Sequence, residues 1–588
     1  MTHSPVLDVA IVGGGHNALV AAAYLGQAGY RVAVFERLPH VGGAAVSERP
    51  WEGVDARLSR YSYLVSLLPQ QIISDLGLSV QLARRRISSY TPDPARPDRG
   101  LLIDNGDAAA TAASFARVTG ETAEAGRYAN FVSRLTPLAQ TLFPTVTSPL
   151  QRADEVRATP GAAAPRRAIA EQPIGEHIRA SLTTDLARGV ALTDALIGTF
   201  SSSDDLSLRQ NRCFLYHVIG GGTGDWDVPI GGMGQVSGAI RDAAERAGAE
   251  LVTDAEVTSI TPDGEVVIGG GERTVHARLV LSGVGDAVLQ RLLAAGGAAS
   301  HESEASAPEG AQVKVNMLLR RLPRLRDTSV APEHAFAGTF HINETMAQLD
   351  AAHDVAVAGR IPTPLPAEIY CHSLTDPSIL GDELRASGAQ TLTLFGLQVP
   401  HRLVGGADPL AIRAELLAAA EASLDSVLAE PIRDVLYEAP DGSPCIEART
   451  TGDLERSLGM MGGDIFHGRL DWPWADAGDD LQSPAQAGGV PTEHDRILLC
   501  GTSARRGGAA SGLGGHNAAQ AAPELLARSP RHGGAGRPRP VGGGRPPGRA
   551  CGGSPSWTQA RRTARSKPSP GTTVTMPARP SMPGIATP

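Results

Sequence analysis

The chain has 588 residues, 42% of them hydrophobic and 20% charged, a composition that supports several packed domains. No run of about 18 apolar residues occurs, so no membrane span is expected, and the opening MTHSPVLDVAIV lacks the basic flank and cleavage site of a secretory signal. Net charge is −9, and the ten Lys and Arg of residues 529–588, unaccompanied by any acid, leave −19 on the rest, a balance that argues against a nucleic-acid partner.

The first predicted elements are strand 7–12, helix 16–28 closed by Gly29, and strand 31–36. Between strand and helix lies Gly13-Gly14-Gly15-His16-Asn17-Ala18, the pattern G-x-G-x-x-A. Gly13 permits a tight turn, Gly15 leaves room for a pyrophosphate, and Ala18 lets the helix pack on the strand. The helix N-terminus then offers free N–H groups to phosphate. Glu36 follows Gly13 by 23 residues, the spacing at which a carboxylate accepts hydrogen bonds from ribose hydroxyls. Arg37 follows it, and a second diglycine, Gly42-Gly43, predicts another backbone approach near the first turn.

Residues 107–200 read as mostly helical and Ala-rich. A glycine loop then leads into a helix over about 233–247, with Met233, Val236, Ile240 and Ala243 on one face. Short strands with turns at Pro262-Asp263-Gly264 and Gly269-Gly270-Gly271 follow, then alternating strands and helices through 312–438. The stretch RILLCGTSARRGGAASGLGGHNAAQAA is strand, glycine loop, helix, with the helix beginning near Gly515-His516-Asn517. From Ser529 the chain holds 11 Gly and 12 Pro without apolar periodicity and is expected to be disordered. Its basic charge makes contact with an anionic membrane surface or nucleic acid one reading, and a functionless or frame-shifted extension is the favoured one.

Five cysteines are scattered without a CxxC, which argues for a reducing compartment, no disulfide framework and no metal site. Cys371 and Cys500 read as small buried hydrophobes rather than a redox pair. Trp51 and Trp226, each near glycine loops, read as aromatic core or as the lining of a lipophilic pocket.

These motifs together resemble flavoproteins. The element R-x-x-x-x-G-G after Glu36 is similar to that of the glutathione-reductase-like amine oxidase and carotenoid desaturase group. VPIGGMGQVSGAI, GAELVTDAEVTSI, LVLSGVGD, VKVNMLLRRLP, GTFHINET, CHSLTDPSIL and GGDIFHG resemble the phytoene desaturase-like branch. Within it they are most similar to the pyridine nucleotide-disulfide oxidoreductase domain-containing protein 2 subgroup, over roughly residues 8–525 in the same order. The resemblance implies an α/β architecture: a Rossmann-type, discontinuous FAD domain with an interleaved α+β substrate domain. The FAD domain would comprise 1–60, 215–290 and 490–528, the substrate domain 61–214 and 291–489, and the tail 529–588. Implied FAD contacts are Gly13, Gly15, His16, Asn17, Ala18, Glu36, Arg37, Gly42, Gly43, Val257, Gly501, Gly512, Gly515 and Asn517, with the C-terminal helix dipole supporting a reduced flavin. One departure stands out. The subgroup has His-Pro where this chain has Arg505-Arg506, and GGGVSG becomes GGAASG; a guanidinium pair there would support an anionic flavin or a phosphate.

The implied activity is FAD-dependent dehydrogenation of an apolar, isoprenoid- or carotenoid-like substrate by hydride transfer to flavin N5, with a separate electron acceptor. Amine oxidation, a redox-neutral isomerisation on reduced flavin, FAD binding without turnover, and an NAD-only dehydrogenase are the alternatives. Candidate proton-handling residues are His467 and Asp464 in GGDIFHG, His372 with Asp376 in CHSLTDPS, and His341 in TFHINET; each histidine alone can equally be structural. Without an Arg-rich presequence before residue 8, a cytoplasmic location is expected.

Overall fold

The computed structural model describes residues 6–299, 308–406 and 408–528. The expected 529–588 tail lies outside the described residues, as does Cys551.

Two seven-stranded sheets organise the described chain. The first is built on five parallel strands, in the order Glu250–Val252, Val32–Phe35, Leu7–Val12, Arg273–Ser282 and Ile497–Leu499. Val9 to Val12 and Val32 to Phe35 are fully buried, as strands covered on both faces must be. The register Val9↔Val32 and Val12↔Phe35 brings Glu36 to the same edge as the glycine turn. An antiparallel extension, Val257–Ile260 and Glu265–Ile268, adds to the outer part of Arg273–Ser282.

Helices His16–Gln27, Met233–Arg246 and Leu513–Arg528 cover one face of this sheet, sharing a core with Leu19, Ile240, Leu279 and Leu513. His16–Gln27 is buried at eight of twelve positions, which explains why its apolar residues run around the helix instead of along a stripe. Helix Asp286–Ala295 covers the other face through Leu289 and Leu293.

The second sheet runs Ile446–Thr450, Gln312–Leu319, Gln390–Leu397, Ala367–Tyr370, Thr339–Ile342, Ile87–Asp93 and Arg96–Asp104. All its pairings are antiparallel except Thr339–Ile342 with Ile87–Asp93. Helix Pro409–Val427 packs one side of its core, and a separate cluster of helices between Ala108 and Ile219 forms another hydrophobic body. The sequence-predicted helices thus appear nearly in register: 16–28 as His16–Gln27, 233–247 as Met233–Arg246, while the last begins two residues early, at Leu513.

Candidate functional site

A cavity of about 460 Å³ runs from the glycine turn of the first sheet to the wall of the second. Gly13, Gly15, His16, Asn17, Ala18, Glu36, Arg37, Gly43, Val257 and Gly501 line it. Gly13 takes φ +87°, the left-handed turn that an L side chain resists, and its N–H donates to the Phe35 carbonyl at 2.8 Å. At Gly15 an added Cβ would meet nothing within 4 Å, so open space lies over the start of the helix. Gly15 caps that helix without a side-chain hydrogen bond, leaving the N-terminal amides to a ligand.

The Glu36 carboxylate accepts from the N–H groups of Gly14 at 2.7 Å and Leu38 at 2.9 Å, which hold it at the cavity edge. Gly42 bridges to Gly15 and donates to the Gly14 carbonyl at 2.8 Å, while a Cβ at Gly43 would lie 3.1 Å from the Gly15 Cα. The second diglycine is therefore needed for backbone-to-backbone contact beside the turn.

Two buried polar atoms around the turn have no partner among the described residues. Asn17 donates to the Gly507 carbonyl at 3.2 Å, but its Oδ1 accepts nothing among the described residues. His467 lines the cavity with its Nδ1 equally unpartnered. Burial, and then the neighbouring His16, push its pKa down to about 4. Burial likewise lowers His16 to about 4, although its ring nitrogen lies 3.3 Å from the Ala509 carbonyl. Both imidazoles are neutral near pH 7, suited to hydrogen bonding rather than to cationic phosphate binding. An open cradle over Gly15, a ribose-type carboxylate and these orphaned atoms fit FAD.

Four of the expected contacts act otherwise. Gly42, Gly512, Gly515 and Asn517 do not line the cavity. A Cβ on Gly515 would fall 1.8 Å from the Asn17 carbonyl oxygen, so the last helix presses on the first, and Gly515 is a packing residue. Gly512 faces Val20 and Ile72, and Asn517 accepts from His516 Nδ1 through its Oδ1 and donates to the Val146 carbonyl through its Nδ2.

The Arg505-Arg506 expectation is corrected as well, because neither residue lines the cavity. Arg505 pairs with Asp479 at 2.7 Å. Arg506 is 3% exposed and donates to the carbonyls of Thr145, Ser148 and Gly488. It ties the C-terminal glycine loop to the helical body.

Asp464, His372 and Asp376 are also off the cavity wall. Asp464 accepts from the amides of Phe466 and Gly468 and shapes the turn that carries His467; burial raises its pKa to about 7. His372 stacks on Tyr370 with ring centroids 5.9 Å apart, and Asp376 accepts from Gly231 and Ser378. Trp226 does line the cavity, stacked on His217, whereas Trp51 is core. Cys371 and Cys500 are buried thiols, and burial raises both pKa values.

Residues not singled out in the sequence, together with the candidate His341, form the far wall. Lys314 stands in the middle of Gln312–Leu319, 4% exposed, with Nζ donating to the carbonyls of Ser59 at 2.7 Å and Tyr61 at 2.9 Å. It lies 4.8 Å from the Tyr63 ring centre. Burial, only partly offset by Glu447, lowers its pKa to about 7. The signal in the sequence was a lysine between two valines of an otherwise apolar strand.

Beside it, Glu368 accepts from the hydroxyls of Tyr370 at 2.5 Å and Thr193 at 3.1 Å. Burial and the Glu344 carboxylate push its pKa up. His341, on the cavity wall, contacts Glu344 at 2.7 Å; burial opposes its imidazolium, but the carboxylate outweighs it and raises its pKa. One ligand-type atom from each of His341, Glu344 and Glu368 lies within 4.8 Å of the others, a grouping that the search for CxxC spacing could not reveal. Leu64, Leu67, Val190, Ile197, Phe395 and Leu470 supply the apolar part of the wall.

Comparison with known proteins places this geometry. The NAD(P)-binding Rossmann-like domain family matches residues 11–70. Uncharacterized protein Rv0897c of Mycobacterium tuberculosis is 54% identical over 537 residues, covering 89% of this chain and 98% of that protein. Pyridine nucleotide-disulfide oxidoreductase domain-containing protein 2 of Rattus norvegicus is 30% identical over 572 residues, covering 88% of this chain and 93% of it. The chain belongs to that family. Pyridine nucleotide-disulfide oxidoreductase domain-containing protein 2 relatives thus share nearly the full described body, far beyond the first 60 residues. Among solved structures, putrescine oxidase bound to putrescine has 17% identity and a TM-score of 0.54, covering 89% of this chain and 99% of that one. Cyclohexylamine oxidase from Brevibacterium oxydans has 16% identity and a TM-score of 0.52, with the same coverage. At that identity the likeness is one of fold. No helix among the described residues is long and apolar enough to cross a membrane.

Proposed function

We propose that this chain is an FAD-dependent oxidoreductase that dehydrogenates a substrate with an apolar body. One observation carries the reading: a continuous cavity joins the dinucleotide turn at Gly13–Ala18 to an apolar wall that holds the buried Lys314. Glu36 would hold the ribose, the helix N-terminus behind Gly15 the pyrophosphate, and Asn17 and His467 the polar atoms between them. When bound, FAD supplies a two-electron acceptor that takes hydride from a substrate C–H.

The protein's own groups do the rest. Leu64, Val190, Ile197 and Phe395 exclude water and orient the apolar body. Neutral Lys314 can take a proton at Nζ, because its lowered pKa places an appreciable free-amine fraction near pH 7. Glu368, His341 and Arg85 on the same wall narrow the substrate. A bare carotenoid hydrocarbon would leave Arg85, whose Nε has no partner among the described residues, facing it unmatched. An isoprenoid-like or cyclic body that carries polar groups matches both surfaces. Amine oxidation is the second reading, favoured by Tyr63, Tyr370 and Glu368 standing together on the wall.

The test is the visible spectrum of the purified protein, with the heat-released cofactor then identified. About one FAD per chain, bleached anaerobically by the true substrate, is expected. A colourless protein that FAD does not reconstitute overturns the reading.

A further inference from the structure

Residues 84–86 are three consecutive arginines between the short strand Leu82–Ala83 and the strand Ile87–Asp93. The outer two are neutralised. Arg84 pairs with Asp225 at 2.5 Å and Asp227 at 3.0 Å, and Arg86 with Asp104 at 2.8 Å. Arg85 lines the cavity, as Arg84 does, but unlike Arg84 it forms no ion pair among the described residues. Its protein contacts are one long hydrogen bond to the Thr339 hydroxyl, 3.4 Å, and the face of the Tyr370 ring, 5.5 Å from the centroid. Its Nε is buried and unpartnered.

Ser89 and Thr339 sit opposite each other in register on neighbouring strands, and both line the cavity with Arg85. Ser89 is 4% exposed and its hydroxyl has no partner among the described residues. A half-buried guanidinium with no ion pair and an unpartnered, buried Nε is costly, and so is an unmatched buried hydroxyl. Glu368 acts on this charge from a distance but forms no ion pair with it, and its oxygens accept from the Tyr370 and Thr193 hydroxyls.

We infer that Arg85, Ser89 and Thr339 form a binding site for a carboxylate carried by the substrate. A carboxylate accepts two parallel N–H bonds from a guanidinium fork, and the serine hydroxyl completes the set. Asp227 and Glu368 lie close enough to act on Arg85 electrostatically. They oppose any incoming anion, and a doubly charged phosphate about twice as strongly as a singly charged carboxylate. The substrate class is therefore an organic acid with an apolar body. This deepens the oxidoreductase reading and rests on it for the word substrate.

The test uses the purified full chain as isolated, with acetate, hexanoate and 3-phenylpropionate as probes and hexanamide and hexyl phosphate as controls. Binding is read twice, from perturbation of the flavin absorption band and from the shift in melting temperature. Saturable binding of hexanoate or 3-phenylpropionate is expected, at least about tenfold tighter than hexanamide or hexyl phosphate. Arg85→Met should abolish that preference, and Arg85→Lys, which keeps charge but loses the fork, should weaken it about tenfold. Ser89→Ala, the mildest change, should lower carboxylate affinity severalfold while leaving FAD content unchanged. Equal binding of acid and amide, tighter binding of the phosphate, no saturable binding of any acid, or undiminished preference in Arg85→Met each overturns the inference. A protein without flavin defeats the oxidoreductase reading instead, and the melting shift still decides whether the carboxylate site exists.

Discussion

Gly15 and Gly515 show how one residue type serves two ends. A methyl group at Gly15 meets open space, while one at Gly515 overlaps the Asn17 carbonyl. Gly15→Ala should therefore fold with an unchanged apo melting temperature and lose FAD affinity by about tenfold or more, because the methyl occupies the pyrophosphate approach. Gly515→Ala should instead lose about 1–3 kcal/mol of stability by overpacking, as measured by denaturant midpoint. Lys314 offers a pH-dependent test. Its folded pKa of about 7 lies below the ordinary 10.5, so between those values the unfolded chain binds the additional proton. Stability should rise with pH across that window, by about 2 kcal/mol from roughly pH 7 to pH 9, with the full penalty present below the folded pKa. In Lys314→Met the rise should flatten, and the limb near pH 7 in the rate of flavin reduction should vanish.

At the scale of elements, the C-terminal strand, loop and helix meet the first strand, turn and helix from the opposite end of the chain. Strand Ile497–Leu499 adds beside Arg273–Ser282, and helix Leu513–Arg528 shares the core of His16–Gln27. The loop between is held by Arg506, whose guanidinium satisfies carbonyls of Thr145, Ser148 and Gly488. Arg506→Ala removes these charge-assisted bonds and leaves buried carbonyls unmatched. It should cost about 2–4 kcal/mol in chemical denaturation, while the flavin absorption maximum of folded protein stays where it was. A shifted maximum would instead restore the arginine pair to the flavin site.

At the scale of the molecule, the parallel sheet gathers strands from residues 7–35, 250–282 and 497–499, and the cavity opens between that sheet and the second. A ligand bound across these segments stabilises all of them together. FAD at a hundredfold excess over its Kd should add about 2.7 kcal/mol and raise the melting temperature. Gly15→Ala, with a Kd about tenfold weaker, should keep only about half of that gain, ~1.4 kcal/mol, at the same FAD concentration.

The nucleotide half of the site was legible because it is local. Strand, turn, helix and Glu36 fall within about 30 consecutive residues, and hydrophobic periodicity with glycine spacing reports such units directly. The second diglycine was readable for the same reason. The far wall was not. Lys314 and Glu368 come from separate strands of the second sheet, Arg85 from the loop that leads into it and Tyr63 from a segment outside it, and none forms a short-range motif. Their significance lies in burial and missing partners, which are properties of packing. Asp464 and His372 looked chemical in sequence because of residue type alone, yet backbone direction turned both off the cavity. The sequence by itself determined the two glycine-rich strand–turn–helix units and the place of Glu36 beside the first turn, since those are set by neighbours along the chain. Only the tertiary structure decided which charged side chains face the cavity, because a strand's register and a loop's course depend on everything packed against them.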